Sequence, residues 1–216
     1  MLIIFDCDGV LVDSEPLAAK VFSEALGELD IQLSPQDCFR QFHGHSLDYC
    51  FNWLRQTTAK NLPSDFGERL ARATRDAFKK QLQPVAGVAD VLEVLQSHNV
   101  SFCVASNGGH EKIAHSLETT GLDKFFSRAR GNCFSIDDVN QGKPAPDLFL
   151  HAAEAMGIPV TFTTVIEDSP SGICAAQSAG MRVFVYDALG EYSGSQHRCF
   201  ASMSELKVYF ETRWGK

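Results

Sequence analysis

The sequence predicts an α/β protein built on a doubly wound parallel sheet, with an α-helical subdomain inserted after the first strand. Three observations predict it: short apolar runs that each stop abruptly at polar residues, helical patterns of crossover length between those runs, and a stretch at 16–82 that shows helix signals only.

The first run, 2–5, reads as a buried parallel strand whose C-terminal end opens into Asp6-Cys7-Asp8-Gly9. Runs at 101–105, 162–166 and 181–186 repeat the pattern and stop at Ser106-Asn107-Gly108-Gly109, Glu167-Asp168 and Asp187. Helical patterns at 88–98, 111–120 and 145–156 supply the crossovers. Within 16–82, Ser34-Pro35 and Pro63-Ser64 mark helix starts. Apolar residues recur there at helical spacing, as in Val21-Phe22-Ala25-Leu26, Leu47-Cys50-Phe51-Leu54 and Phe66-Leu70-Ala73-Ala77. Ser14-Glu15-Pro16 reads as the outgoing linker and Pro84-Val85-Ala86-Gly87 as the return, giving a core domain of 1–15 and 83–216 and a helical domain of 16–82.

Composition narrows the function classes. With 216 residues, 44% hydrophobic and 21% charged, the chain is neither disordered nor fibrous. Its 19 basic and 27 acidic residues give a net charge of -8, which disfavours nucleic acid and anionic membrane surfaces as partners. The same charge repels a phosphorylated substrate, so a metal ion and local cations must reverse the field inside any site that takes one. Seven scattered cysteines without a C-x-x-C pair read as reduced thiols. No apolar run has the length of a signal peptide or a membrane span, so a cytoplasmic location is expected.

In open parallel sheets, ligands bind beyond the carboxyl ends of the strands. Asp6, Asp8, Ser106, Glu167 and Asp168 all fall at such ends, and Lys143 precedes the helix beginning near Pro144. This set suits phosphate monoester hydrolysis, where accelerations of about 10²¹-fold correspond to roughly 28 kcal/mol. Acid–base catalysis contributes only about 10²- to 10⁴-fold, so a covalent step, a cation and preorganised donors must share the rest. Asp6 suits the nucleophile, and Asp8 the acid that protonates the leaving oxygen and later activates water. Asp6, the backbone carbonyl of Asp8, and Asp168 suit Mg2+, with Glu167 holding a metal-bound water. Lys143 offsets charge, while Gly9, Ser106 and the backbone N–H groups around Asn107 and Gly108 suit phosphate oxygens. Taken singly, each element has a plainer reading: a turn or cap for Asp6-Cys7-Asp8, a cap for Ser106, a solvated residue for Lys143, and a helix N-terminus for Glu167-Asp168-Ser169-Pro170.

Four ordered runs, Asp6-Cys7-Asp8-Gly9-Val10-Leu11-Val12-Asp13-Ser14-Glu15-Pro16, Ala105-Ser106-Asn107, Gly142-Lys143-Pro144-Ala145-Pro146-Asp147 and Ile166-Glu167-Asp168-Ser169-Pro170-Ser171-Gly172, resemble the motifs of the haloacid dehalogenase superfamily. The helical insert resembles the cap of its β-phosphoglucomutase-like and phosphoglycolate phosphatase-like branch. The resemblance implies a Rossmann-like core, magnesium, a cap that closes over substrate, and Asp6 near Asp168. It also places a specificity loop at Phe42-His43-Gly44-His45-Ser46, making His43, His45 and the hinge residue Glu15 candidates for substrate contact. Two departures weigh against a mutase: Ala18 stands where phosphomutases of the branch carry histidine, and Leu47 replaces the usual basic residue after Gly-x-Ser. Asp8 in turn sets the chain apart from the metal-free dehalogenases, which lack a second aspartate acting as acid and base. Ser106-Asn107-Gly108, with the segment 148–156, is similar to bacterial 6-phosphogluconate phosphatases, implying a sugar phosphate or sugar acid phosphate as the small-molecule substrate. Phosphomutase activity is the alternative within the class. A phosphate-sensing module, like receiver domains with clustered aspartates, a hydroxyl and a lysine, is the alternative outside it.

Overall fold

All four side chains of Leu2–Phe5 (β1) are buried, as happens to a strand whose sheet is covered on both faces. Ser101–Ser106 (β2), Cys133–Ser135 (β3), Thr163–Glu167 (β4), Arg182–Tyr186 (β5) and Arg198–Phe200 (β6) complete a six-stranded sheet in the order β3-β2-β1-β4-β5-β6. Every neighbouring pair is parallel. The registers Phe5↔Val104 and Phe5↔Ile166 bring the C-terminal ends of β2, β1 and β4 level. The strand order reverses at β1, and a crevice opens at such a switch point. This is the expected Rossmann-like α/β core.

The computed structural model describes residues 1–43, 45, 47–58, 60–192 and 194–214, without the side chain of Trp214. The chain divides into two units, Met1–Val12 with Gln83–Lys216, and Asp13–Leu82.

Among its described residues the second unit holds four helices, Ser14–Gly27 (α1), Pro35–Phe42 (α2), Leu47–Thr58 (α3) and Phe66–Gln81 (α4). Their apolar stripes meet around Phe22, whose ring lies 5.1 Å from Phe42, 6.4 Å from Phe51 and 6.3 Å from Phe66. Leu26 and Leu54 are fully buried beside it. Helix α2 starts at the expected Ser34-Pro35: the Ser34 Oγ accepts from Asp37 N, Asp37 accepts from Ser34 N, and Pro35 occupies the first turn. Two starts differ. Ser14-Glu15-Pro16 is the first turn of α1 rather than a linker, because proline's missing N–H is not needed there, and α4 starts at Phe66 rather than at Pro63-Ser64.

The first unit adds Val88–Ser97 (α5), His110–Thr120 (α6), Asp147–Ala155 (α7), Pro170–Ser178 (α8) and Met203–Trp214 (α9). Side chains alternate across the sheet. Leu2 and Ile4 join Cys103, Val165 and Val183 against Leu148 and Phe149 of α7 and Ile173 of α8. On the opposite face Phe5 meets Phe126 edge-on at 6.3 Å, and Phe184 meets Tyr209 and Phe210 of α9. The run expected at 162–166 moves by one residue, because Val160–Phe162 form a 3-10 turn and the strand takes in Glu167. Edge strands β3 and β6, three residues each, are too short to leave a pattern in the sequence. All seven cysteines are free thiols, and no described helix is long and apolar enough to cross a membrane.

Leu54→Ala is expected to destabilise the helical unit by about 2–5 kcal/mol, the usual cost of a cavity in a packed core. Urea denaturation checks this, and a loss below about 1 kcal/mol would mean that the site collapses freely or is not packed as described.

Candidate active site

Pairing between β1 and β4 continues one step past the strand, where Asp6 N donates to Ile166 O at 3.0 Å. Asp6 therefore lies beside the end of β4. Asp6, Glu167 and Asp168 each offer a carboxylate oxygen, and those oxygens lie within 4.8 Å of one another. Gly9 makes this possible. Its φ of +82° suits glycine, and a Cβ there would collide with the Asp168 carboxylate. The Asp168 carbonyl accepts from Tyr192 Oη at 3.0 Å, and Tyr192 is held in turn by its N–H on Asp187 Oδ2.

Lys143 is the cation of the cluster. Its Nζ donates to Asp6 Oδ1 at 2.5 Å and to Glu167 Oε1 at 2.6 Å, and sits 4.8 Å from the centre of the Phe149 ring. Burial works against the ammonium, but attraction to Asp6 and Glu167 outweighs it and holds Lys143 above the ordinary lysine pKa. Asn107 clamps the Lys143 backbone at both ends: Lys143 N donates to Oδ1 at 2.9 Å and Nδ2 donates to Lys143 O at 3.0 Å. A Cβ at Gly142 would strike Asn107, so glycine there lets the amide approach.

Glu167 is fully buried. Its Oε2 accepts from Asp168 N and Ser169 N at 3.0 Å and from Ser169 Oγ at 2.9 Å, so Oε1 is the oxygen that faces Lys143. Ser169 also caps α8 by accepting from Gly172 N. The plain reading of this motif as a helix N-terminus therefore holds, and it leaves the Glu167 and Asp168 carboxylates beside Asp6.

Ser106, buried at the end of β2, accepts from Gly108 N at 3.0 Å. Asp8 pairs through Oδ2 with Lys112 Nζ at 2.5 Å. Burial opposes the Lys112 charge, but Asp8 prevails and raises its pKa. Ionised, the four carboxylates of Asp6, Asp8, Glu167 and Asp168 face two ammonium groups, an excess of two negative charges. Hard oxygen donors with that excess fit a divalent cation such as Mg2+.

A family model described as haloacid dehalogenase-like hydrolase matches residues 3–186. The chain belongs to that family. Among its relatives, the 6-phosphogluconate phosphatase of Escherichia coli strain K12 is 30% identical over 86% of this chain and 82% of its own length. A probable pseudouridine-5'-phosphatase of Drosophila melanogaster is 33% identical over 83% of this chain and 78% of its own. A HAD-family hydrolase of Deinococcus radiodurans R1, solved with bound phosphate and sodium, is 28% identical with a TM-score of 0.87, covering 98% of this chain and 95% of that one.

Within the helical unit of this family member, His43 Nε2 lies 4.0 Å from Glu15 Oε2, and the His45 ring stacks on Tyr49 at 3.9 Å. Two residues of the segment expected to form a specificity loop, Gly44 and Ser46, lie outside the described residues. Asn107, whose backbone N–H is expected to suit a phosphate oxygen, uses its side chain to hold the Lys143 backbone. Sequence reasoning missed Lys112 and Tyr192. A lysine one turn into a helix looks like a solvated residue, and Tyr192 sits in a loop without a motif.

Burial pushes Asp6 up to about 7 against the attraction of Lys143, with Glu167 and Asp8 adding to the rise. Asp6 must lose its proton to ligate a cation, so Mg2+ affinity should rise with pH through about 7 and level off above it. Calorimetric titration of the metal-free protein between about pH 6 and 8 checks the slope; a flat profile would contradict a protonated Asp6.

Proposed function

We propose that this hydrolase is a Mg2+-dependent phosphatase that cleaves a small phosphorylated metabolite, a sugar phosphate or sugar acid phosphate such as 6-phosphogluconate, through an aspartyl phosphate on Asp6. The observation that carries this reading is the convergence of Asp6, Glu167 and Asp168 at the switch point of the sheet, with Lys143 bridging Asp6 and Glu167.

Asp6 attacks phosphorus in line; the bond from phosphorus to the ester oxygen breaks, and Asp8 gives that oxygen its proton. Water then attacks the aspartyl phosphate. Asp8, now a carboxylate, takes the water's proton, the bond from phosphorus to Asp6 breaks, and phosphate leaves with Asp8 protonated again. Lys143 fixes Asp6 through Oδ1 throughout, and Ser106 lies at the neighbouring strand end to donate to a phosphoryl oxygen. Asp6, Asp168 and the carbonyl of Asp8, with Glu167 behind, would hold Mg2+, and the ion would neutralise charge on the phosphoryl group. The bound phosphate in the Deinococcus relative and the substrate of the Escherichia coli relative support the substrate class.

Asp6→Asn should lower phosphatase turnover on the order of 10³-fold or more while the fold persists, because the amide keeps the shape but is a poor nucleophile. A folded mutant with undiminished p-nitrophenyl phosphate hydrolysis would overturn the assignment. Chelation with EDTA should abolish activity and Mg2+ restore it; activity indifferent to chelation would point to metal-free chemistry. A panel of sugar and sugar acid phosphates then ranks substrates by kcat/KM.

A further inference from the structure

Lys112 has no place in the four motifs, yet the fold delivers it to the site. It lies in the first turn of α6, and its Nζ reaches Asp8 Oδ2 at 2.5 Å across 104 positions of sequence. Its stem has a prepared path: a Cβ at Gly108 would come within 3.1 Å of Lys112 Cδ and 3.4 Å of Ser106 Oγ. The loop leaving β2 is in turn fixed to β3, where Ser135 Oγ donates to Gly108 O at 2.9 Å. The base of α6 is fixed as well, since His110 N donates to Asp137 Oδ2 and the His110 ring meets Asp138 Oδ1, both at 2.8 Å. The lysine is 47% exposed, but it projects from a braced platform.

We propose that Lys112 is a positioning residue, which holds one carboxylate oxygen of Asp8 so that the other is presented to the ester oxygen of the substrate. The inference rests on the phosphatase reading above and deepens it. Asp8 stands in the turn after β1, at Asp6-Cys7-Asp8-Gly9, where an isolated bridge to Val12 holds its backbone but leaves its χ angles to other contacts. Acid catalysis demands that its donor oxygen come within hydrogen-bond reach of the leaving group, and a misplacement of about 1 Å can cost on the order of 10²-fold. An ammonium carried on that platform and paired with Oδ2 disfavours one of the two orientations that a free carboxylate samples. Through Lys112, the step in which the Asp8 O–H bond breaks and the leaving oxygen gains the proton becomes a matter of geometry already set.

The test uses the dependence of the reaction on its leaving group. An alkyl phosphate expels a strongly basic alkoxide and needs the proton; p-nitrophenyl phosphate expels a stable phenolate and barely needs it. Lys112→Met should therefore lower kcat/KM about 10- to 100-fold for 6-phosphogluconate, or for the best alkyl ester of the panel, and only a few fold for p-nitrophenyl phosphate. Lys112→Arg, which keeps a charged donor, should restore most of the alkyl activity. In an Asp8→Asn background, Lys112→Met should add almost nothing. Equal losses on both esters, or a full additional loss in the Asp8→Asn background, would show that Lys112 serves phosphate binding or the fold instead, and would overturn the proposal. Thermal unfolding of each variant separates loss of structure from loss of positioning. A wild-type protein inert towards every ester would instead overturn the phosphatase reading itself.

Discussion

The Lys143 ammonium held between Asp6 and Glu167 is the interaction on which the site depends. Taking three charges out of water costs several kcal/mol per ion, and Coulomb attraction alone rarely repays it. Here the surroundings supply what is missing. Glu167 keeps three further donors on its second oxygen, Lys143 rests against the Phe149 ring, and Asn107 fixes the peptide from which the lysine extends. Each contact joins a different strand end or loop, so the ion cluster also ties together β1, β2, β4 and the segment leading into α7. Loss of the lysine would leave two buried carboxylates facing each other, which is far costlier than the pair is favourable.

The same cluster answers a difficulty raised by composition. A chain of net charge -8 repels a phosphorylated metabolite at long range. At the site, Lys143 and Lys112 neutralise part of the acidic charge and the remaining excess matches a divalent ion. Screening confines the unfavourable long-range field to about 8 Å at physiological ionic strength. Whatever attracts the phosphoryl group therefore acts locally, through two ammonium groups and the cation that the carboxylates can hold.

The fold class and the central residues were legible in the sequence because a parallel strand announces itself by an apolar run, and its C-terminal end is where such sheets bind ligands. Asp6, Ser106, Glu167 and Asp168 could be found that way. Asn107 was legible as a residue but not in its action, since its partner is the backbone of Lys143, 36 positions away. Lys112 and Tyr192 were not legible at all. Their importance comes from what α6 and the loop after β5 happen to face, and neither periodicity nor a motif records that. The short strands β3 and β6 escaped for a related reason: three residues at a sheet edge are specified by their neighbours rather than by their own pattern.

Strand parity explains why the three charges meet at all. Leu2 and Ile4 point to the face packed by α7 and α8, so the next residue of that parity on β1 is Asp6. Val165 points to the same face, and the next residue of its parity on β4 is Glu167. Phe149 of α7 packs on that face too, and the Lys143 ammonium lies over its ring. Two carboxylates from adjacent strands and a lysine from the loop ahead of the covering helix must then converge. A slip of one residue in β4 would turn Glu167 to the opposite face and leave Lys143 with Asp6 alone. The pairing of Phe5 with Ile166, which sets Asp6 beside Glu167, is therefore the register that builds the site.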